Sequence, residues 1–403
     1  FYRLFMKSIS RQAMLLQRRL DDDIEGETRL FALIALAEFG LCGDSLEKLQ
    51  ERMSLLLGEE LGRQVLADGG HIGRNPQTIV DLLLDLLPLR QAYSARGVAA
   101  PPQLLNAIDR MMPMLRLFRL GDGSIALFNG MGPTAPHDLA TILAHDDARA
   151  ASLMNAPYSG YQRMEGGSSI LIMDTGPIPP VAFSERTHAG CLSFEFSDEN
   201  QKLIVNCGSP NESRVHMRDA ARSTAAHSSL TLADTSSCRF GAGGKKKALE
   251  GKIVSGPMKV RVKRQSAEDC VALEANHDGY ERQFGLIHTR SLYLSTEGGQ
   301  LEGEDKLTPA EGKKAVLTAD YAVRFHLHSS LRTRLLDEGQ SVEILTPSGQ
   351  VWLFHAEGHR LAIEESISFA TPEGVRGADQ IVIHATYQDY QTINWSLYKP
   401  SGD

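Results

Sequence analysis

Apolar residues recur every three or four positions through the first part of the chain, which is the spacing of a buried helix face. Three groups of positions follow it: Leu46, Leu49, Met53 and Leu56; Ile79, Leu82, Leu83 and Leu86; and Leu104, Ile108, Met111 and Leu115. Residues 28–41 are apolar on nearly every side, so we expect that helix to be buried between neighbours. The pattern predicts antiparallel helix pairs with short connections up to about residue 118.

Glycine and proline residues mark the expected ends of these helices. Gly40 and Gly43 predict the end of one helix, and Pro102 predicts the start of another. Pro88 lies inside the second apolar group and predicts that its helix ends or kinks there, because proline lacks the N–H of an interior turn. A short helix is also expected over residues 137–150.

From about residue 160 the period of the apolar positions changes to two, which is typical of strands with one buried face. The alternation is clearest at Leu192, Phe194 and Phe196; Met258, Val260 and Val262; and Val323, Phe325 and Leu327. Further strands are predicted over residues 169–173, 203–206, 230–232, 271–274, 292–295, 342–345, 351–355, 367–369 and 381–385. Turn residues such as Ser348-Gly349 separate them, and this succession of short strands and turns predicts a large antiparallel sandwich.

The length of the chain agrees with two domains, α first and β second. Its 403 residues exceed the roughly 250 to 300 at which a single hydrophobic core stops growing. We predict a helical domain over residues 1–118, a connecting segment with a short helix over 119–159, and a β-sandwich over 160–403.

Composition excludes some partners. A net charge of −8 argues against nucleic acid and anionic membranes, which select basic surfaces. The opening segment 1–20 is too basic and interrupted for a signal peptide or a membrane span. The chain opens on Phe1, so we expect its true N-terminus to be missing, and the compartment stays unknown. Widely spaced cysteines, five in number, predict free and mostly buried thiols.

A polar loop over residues 67–77 opens one of the predicted helices. Asn75 precedes Pro76, so it is expected to cap the helix, with proline at the first helical position. The same loop carries His71 and Arg74, and an imidazole, a guanidinium and an amide this close together also suit recognition of an anion. The two roles are compatible, and both stay open.

Tyr161 and Arg163 lie two positions apart at the start of the β part. Tyr161 on its own is typical of an ordinary strand aromatic. Because side chains two apart share one face of a strand, the pair also suits an acidic ligand.

His188, Asn206 and His227 lie at the ends of three successive strand-like segments, which a sheet would bring together. A lone histidine at a strand edge is usually a satisfied polar residue, whereas two with an amide indicate a site. Zinc prefers three or more anionic or imidazole ligands, and an amide is a poor substitute for a carboxylate. Metal binding, and with it metal-dependent hydrolysis, therefore rests on the two histidines alone.

Other motifs predict ordinary structure. The run over residues 241–247 is rich in glycine and lysine but lacks the spacing and the Ser or Thr of a phosphate-binding loop, so we expect a solvated hairpin. His326 and His328 share one strand face without a third partner and are expected to be structural.

Taken together, these motifs resemble the heparinase II/III family of polysaccharide lyases. The resemblance rests on Asp68-Gly-Gly-His-Ile-Gly-Arg-Asn-Pro76, Gly160-Tyr-Gln-Arg163, His188-Ala-Gly-Cys-Leu-Ser-Phe-Glu-Phe196, Val205-Asn-Cys-Gly208, Ala226-His-Ser-Ser-Leu-Thr231, His277-Asp-Gly-Tyr280, Arg324-Phe-His-Leu-His328 and Gly349-Gln-Val-Trp352. It implies an incomplete (α/α) toroid of helical hairpins followed by the β-sandwich. It also implies a periplasmic or cell-envelope location and the possibility of a homo-oligomer.

The chemistry that this resemblance implies is β-elimination at a uronic acid within an acidic polysaccharide, with no required cofactor. The adjacent carboxylate must be neutralised and the C5 proton removed. Asn75 and Arg74 are the candidates for carboxylate recognition; Tyr161 and His188, with His71 as a substitute, are the candidates for proton transfer. Local positive charge would come from Arg163, Arg186, Arg214, Arg218 and Arg222. Zinc, if bound, would lie on His188 and His227, with Asn206.

The chain also departs from the family pattern. Arg186 and Gly190 replace a histidine and an aspartate of the usual His-x-His-x-Asp motif, and Asn206 replaces an aspartate of metal-binding members. Thr78 lies near the position of a familiar tyrosine. Two functions therefore remain: a lyase rebuilt around His71, Tyr161 and His188, or a non-catalytic glycan-binding or cell-envelope protein on the same fold.

Overall fold

The structure, a computed structural model, describes residues 2–22, 24–145, 151–210, 216–242 and 247–400. The backbone divides into two compact units. The first comprises residues 1–116 and 135–152, and the second comprises residues 117–134 and 153–403. The domain boundaries predicted from the sequence stay a prediction, and the two units are described separately below.

Six helices account for most of the described part of the first unit: α1 Tyr2–Leu20, α2 Gly26–Leu41, α3 Glu47–Gln64, α4 Pro76–Ala95, α5 Pro102–Leu117 and α6 Pro136–Ala144. Helix α2 packs against α1, α3 and α4. Leu30, Leu33 and Leu36 of α2 are all 0% exposed, as expected of a helix that is apolar nearly all round. Helices α1, α2 and α3 pack one against the next, as the apolar spacing predicts for helical hairpins.

Pro88 was predicted to end or kink its helix, and the first of these outcomes is wrong because the helix does not end there. Helix α4 continues through Pro88 to Ala95. Proline in a helix interior costs about 3 kcal/mol because it removes one hydrogen bond and crowds the preceding turn. Burial of Leu86, Leu87 and Leu89, none more than 2% exposed, offsets that cost. Helix α6 ends at Ala144, and residues 146–150 of its predicted span lie outside the described residues.

The regular structure in the described part of the second unit consists mostly of antiparallel strands. In chain order they are β1 Asn155–Ala156, β2 Tyr161–Gly166, β3 Ser169–Asp174, β4 Phe194–Asp198, β5 Gln201–Val205, β6 Leu230–Leu232, β7 Arg239–Phe240, β8 Ile253–Ser255, β9 Val260–Ser266, β10 Cys270–His277, β11 Leu286–Ser295, β12 Gln300–Pro309, β13 Asp320–Leu327, β14 Arg332–Leu336, β15 Ser341–Leu345, β16 Val351–Ala356, β17 Leu361–Ser368, β18 Arg376–Thr386 and β19 Thr392–Tyr398. Two short helices, α7 Arg218–Arg222 and α8 Glu281–Phe284, interrupt them.

These strands form two large sheets. The nine-stranded sheet has the order β1-β2-β3-β4-β5-β13-β18-β17, with β6 also paired to β13. The eight-stranded sheet has the order β14-β15-β16-β19-β12-β11-β10-β9, and β7 pairs with β8 in a small third sheet. Strand β13 therefore joins two segments that are distant in the sequence, since it pairs with both β5 and β6.

The inner faces of the two large sheets share one hydrophobic core. Phe194 of the nine-stranded sheet stacks on Trp395 of the eight-stranded sheet at 5.7 Å between ring centroids. Phe325 contacts the same indole at 4.8 Å. Such aromatic pairs contribute about 0.5–1.5 kcal/mol beyond the energy of burying their area. They hold the inner faces of the two sheets against each other.

A fully buried ion pair joins the adjacent strands β11 and β12 within this core. Arg290 donates to both carboxylate oxygens of Asp305, each at 2.9 Å. The same guanidinium donates to the carbonyl oxygens of Leu192 at 2.9 Å and Ser228 at 2.7 Å, which belong to the opposite sheet's connections. The pKa of Asp305 is held well below its usual value by Arg290 and by His288, although burial alone would raise it.

The predicted fold class, helical hairpins followed by a large antiparallel β-sandwich, is confirmed. Within the described ranges, no helix combines the length and the apolar character that crossing a membrane requires.

Candidate functional site

Buried polar side chains line the outer face of the nine-stranded sheet. In β4, Phe194 points into the core, so Glu195 and Ser197 point to the opposite face. That face is covered by residues 117–134, where the backbone N–H of Gly121 donates to Ser197 Oγ at 3.0 Å. Glu195 and Ser197 are consequently both 0% exposed. A face that alternation alone would assign to solvent is therefore a closed polar layer.

The two predicted histidines lie side by side in this layer. His188 Nδ1 is 3.1 Å from His227 Nε2, and the residues are 5% and 1% exposed. His227 Nδ1 lies 2.7 Å from the carbonyl oxygen of Ser223, so that nitrogen carries the proton. His188 Nδ1–H then donates to the lone pair of His227 Nε2, and the remaining lone pair of the two rings is on His188 Nε2.

The surroundings of the pair keep both rings neutral at pH 7. Burial lowers the pKa of His188 well below 6.5, and the charges of His227, Arg222 and Arg218 lower it further. Burial also lowers the pKa of His227 to about 4, although the bond to the Ser223 carbonyl opposes this. His188 Nε2 is thus a neutral hydrogen-bond acceptor, and the positive charges of Arg222 and Arg218 around it suit an anionic ligand nearby.

Asn129 connects this pair to its neighbours, and the sequence analysis missed it. Its Oδ1 accepts the backbone N–H of His188 at 3.2 Å. Its Nδ2 donates to Tyr161 Oη at 2.7 Å and to Asp174 Oδ2 at 2.9 Å. Asn129 has a left-handed φ of 46° and is followed by Gly130 with φ 96°. An Asn-Gly pair is a recognised turn signal, but nothing in that signal predicts such long-range contacts.

Tyr161 lies beneath this network rather than at its surface. It is 0% exposed, with Phe118 and Phe128 packed against its ring at 4.6 and 5.5 Å. The phenol oxygen meets Asn129. In this arrangement Tyr161 positions Asn129, and through it the backbone of His188, by hydrogen bonding; its role in proton transfer stays a prediction.

Glu195 is a second buried group that the sequence pattern did not single out. Its Oε1 accepts the backbone N–H of Asn206 at 2.8 Å, while Oε2 has no hydrogen-bond partner among the described residues. Burial raises the pKa of Glu195 to about 7, against the lowering effect of its backbone bonds and of Lys202. The carboxyl group is therefore poised between its neutral and charged forms near pH 7.

The donor set fits a zinc ion only in part. Two nitrogens on one tetrahedral zinc lie about 3.3 Å apart, close to the 3.1 Å between His188 and His227. Asn206 Oδ1, however, already accepts the Ser228 N–H at 3.0 Å, and an amide nitrogen is not a zinc ligand. No cluster of three or more His, Cys, Asp or Glu suited to a metal occurs in the described part of the chain. The zinc site stays a prediction.

The predicted arginines divide by exposure. Arg222 is buried and donates to the carbonyl oxygens of Ser184, Thr187 and Gly251. Arg163 is also buried and donates to two carbonyl oxygens of residues 117–119 and to Glu165. These two guanidiniums hold loops together.

The other three candidate arginines lie in more open surroundings or outside the described residues. Arg186 is exposed. Arg218 is partly exposed and lies 3.8 Å from Glu185. Arg214 falls in the segment 211–215, outside the described residues.

The three candidates of the helical unit share one loop before α4. Asn75 caps α4 as predicted: its Oδ1 accepts the Gln77 N–H at 2.9 Å, and Pro76 is the first helical residue. Asn75 Nδ2 is buried without a hydrogen-bond partner among the described residues. Arg74 is 7% exposed and has a left-handed φ of 62°.

His71 of the same loop is buried and uncharged. Its Nε2 lies 2.9 Å from Gln64 Oε1, and its Nδ1 accepts the Gly73 N–H at 3.1 Å. Burial lowers its pKa to about 3. Because Nδ1 is an acceptor, Nε2 carries the proton and donates to Gln64. Thr78, near the position of the family's tyrosine, donates to Glu27 at 3.1 Å.

A family model and a relative from Caulobacter vibrioides match this chain. The family model described as "Heparinase II/III-like, C-terminal" matches residues 148–396, which include the His188–His227 pair. "FtsZ-localized protein C" of Caulobacter vibrioides (strain NA1000 / CB15N) is 38% identical over 378 residues, which are 91% of this chain and 64% of that protein. The chain thus spans less than two thirds of this relative's length.

Solved structures show the same fold. The crystal structure of a heparan sulfate lyase HepC mutant from Pedobacter heparinus has a TM-score of 0.76 at 16% identity, covering 99% of this chain and 64% of that one. The crystal structure of heparinase III also has a TM-score of 0.76, at 12% identity, and covers 99% and 65%. At these identities the likeness concerns the fold alone.

Proposed function

This chain belongs to the heparinase II/III-like family, and from that membership we propose that it binds a uronic-acid-containing acidic glycan at the His188–His227 pair and acts on it as a polysaccharide lyase. The reaction is β-elimination. The C5 proton of the uronate leaves to a base, the C4–O4 bond breaks, the C4–C5 double bond forms, and O4 takes up a proton.

One observation carries this proposal: a neutral imidazole with a remaining lone pair lies in a positive field. His188 Nδ1 is engaged by His227, which leaves His188 Nε2 to accept the proton. The charges of Arg218 and Arg222 lower the pKa of His188 and so disfavour its protonation. The same charges would attract the uronate carboxylate. A base of low pKa removes a proton slowly unless the developing charge is stabilised, so we expect turnover to depend on the nearby cations.

The direct test is turnover on a panel of acidic glycans. Heparan sulfate, alginate and related uronates are incubated with the protein, and the absorbance of the unsaturated product is recorded. We expect His188→Gln to abolish turnover, and Arg218→Gln to raise KM with a smaller effect on kcat because it weakens attraction of the carboxylate. The matched control is His384→Gln, an exposed histidine of β18 that pairs with Glu364. Wild-type protein that is folded but inactive on every glycan would refute the lyase.

A second candidate, a non-catalytic glycan-binding or cell-envelope protein on the same fold, is favoured by a different observation. Tyr161 is 0% exposed and held by Asn129, so its phenol is withdrawn from a ligand, and Arg163 and Arg222 are engaged with backbone carbonyls. The 38% identical relative is an FtsZ-localized protein, and by analogy this chain would localise with FtsZ. Co-sedimentation with purified FtsZ polymers tests this; a His188→Gln variant should bind as wild type does, and absence of binding by both would argue against it.

A further inference from the structure

An open groove crosses the solvent-facing side of the eight-stranded sheet, away from the nine-stranded sheet that carries the histidines. Its volume is about 450 Å³. The lining residues are Tyr293, Glu302, Gly303, Glu304, His355, Glu357, Asn394, Trp395 and Ser396. They come from β11, β12, β19 and β16 and from the residue after β16, so the groove runs across neighbouring strands.

The strand register explains the shape of the groove. Along one cross-strand row, His355 is paired with Ser396, Ser396 with Glu302, and Glu302 with Tyr293. Ser396 is short, so the row dips between the larger side chains at its ends. With strands about 4.8 Å apart, the four positions extend over roughly 14 Å, enough for a short oligosaccharide.

Below this row, a glycine brings an indole against the sheet. Gly303 lies so close to Trp395 that an added Cβ would stand 2.1 Å from the ring atom Cζ2. No other residue fits there without displacing the indole. The indole lies on the inner side of the sheet, where it stacks on Phe194, so the groove has a tightly packed floor formed by the backbone of β12 and β19.

The charge of the groove is negative and uncompensated. Glu302, Glu304 and Glu357 make no ion pair within the described ranges, and the lining has no lysine or arginine. Glu304 is paired across the strands with Asn394. Such a surface repels uronates and sulfates, so the groove is unsuited to the acidic glycan of the proposed function.

The side chains that line the groove are of the kinds that recognise sugars. Tyr293 is 44% exposed and offers a ring face for the apolar C–H side of a pyranose. His355 Nδ1 donates to the carbonyl oxygen of Gln340 at 3.0 Å, so its Nε2 is an acceptor. Carboxylates accept paired hydroxyl protons, while Asn394 both donates and accepts. A neutral pyranose has an apolar C–H side and hydroxyl groups, so it can contact all of these groups at once.

We propose that this groove binds a neutral glycan segment, with Tyr293 as the stacking platform and Glu302, Glu304 and Asn394 as the hydrogen-bonding groups. The site is separate from the His188–His227 pair and does not require it. The protein would therefore hold a neutral portion of a glycan on one sheet independently of any acidic portion bound at the other.

The experiment measures binding of neutral oligosaccharides by calorimetry. The probes are xylo-, cello- and chito-oligosaccharides, with a heparan sulfate oligosaccharide and an arginine-rich peptide as alternatives. We expect at least one neutral probe to bind, and Tyr293→Ala to weaken it about five- to tenfold, the size of one lost stacking contact. Glu302→Gln combined with Glu304→Gln should weaken it as well, because each replacement removes one acceptor of the paired hydroxyls.

Control variants separate the outcomes. Tyr390→Ala removes a tyrosine of nearly equal exposure, 45%, outside the groove and should leave binding unchanged; circular dichroism verifies that each variant is folded. His188→Gln should also leave neutral-glycan binding unchanged, which distinguishes this site from the proposed lyase site. The proposal is overturned if no neutral probe binds, if Tyr293→Ala and Tyr390→Ala behave alike, or if only the basic peptide or the acidic glycan binds in a Tyr293-dependent way.

Discussion

Replacing Asn129 by alanine tests whether one amide organises the candidate site. Asn129 is 2% exposed and satisfies three groups: Tyr161 Oη, Asp174 Oδ2 and the His188 N–H. A buried polar group left without its partner costs about 1–3 kcal/mol. Alanine at a left-handed φ adds about 1 kcal/mol. With about 1 kcal/mol for each of the three groups and about 1 kcal/mol for the backbone, we expect Asn129→Ala to reduce the free energy of unfolding of the β-rich unit by at least about 4 kcal/mol.

Urea unfolding followed by the fluorescence of the buried tryptophans measures this change. The control is Asn200→Ala, since Asn200 is exposed and its side chain bonds to its neighbour Gln201; we expect a change within about 0.5 kcal/mol. Adding Tyr161→Phe to each background gives a double-mutant cycle, in which a coupling of about 1 kcal/mol is expected for a direct bond.

Two results would contradict this account of Asn129. A loss below about 1 kcal/mol would mean that the three groups find other partners or water. Zero coupling with Tyr161 would mean that the 2.7 Å contact contributes nothing. If the account is right, the imidazole resonances of His188 also shift in Asn129→Ala, because its backbone is no longer held.

Three further predictions concern charge and metal. Because the pKa of His227 falls from 6.5 to about 4 on folding, the unfolded chain binds more protons between these values, so His227 should contribute a decrease of about 3 kcal/mol in the free energy of unfolding as the pH falls from 6.5 to 4. Other buried histidines add to the total change, so this contribution is measured as the difference between wild type and His227→Gln; urea midpoints that move equally in the two proteins would contradict it. Asn206→Asp should supply the missing third ligand, and metal analysis after dialysis should find more zinc retained than in wild type; equal retention refutes this. Arg290→Met should destabilise by about 3–5 kcal/mol because it strands the buried Asp305 carboxylate, whereas Lys263→Met, in an exposed ion pair, should cost less than about 1 kcal/mol.

The local sequence pattern determined much of the secondary structure of this protein. Alternation at Phe194 and Phe196 is a property of neighbouring residues, so it predicted strand β4 and its core-facing side from the sequence alone. The Asn75-Pro76 cap was equally predictable, because capping satisfies orphan N–H groups within one turn. The change of period near residue 160 was enough to separate helical from β structure.

Only the tertiary structure decided how the candidate site is built. His188 and His227 meet because β13 pairs with both β5 and β6, and strand register is a long-range property that no local window contains. Coverage by residues 117–134 likewise converts Glu195 from a surface position into a buried carboxyl group with a pKa of about 7. At Pro88, too, tertiary packing outweighs local preference, because burial of its neighbours offsets the helix-breaking effect of proline. Sequence determined which side chains are available, and packing decided which of them are buried, neutral and in contact.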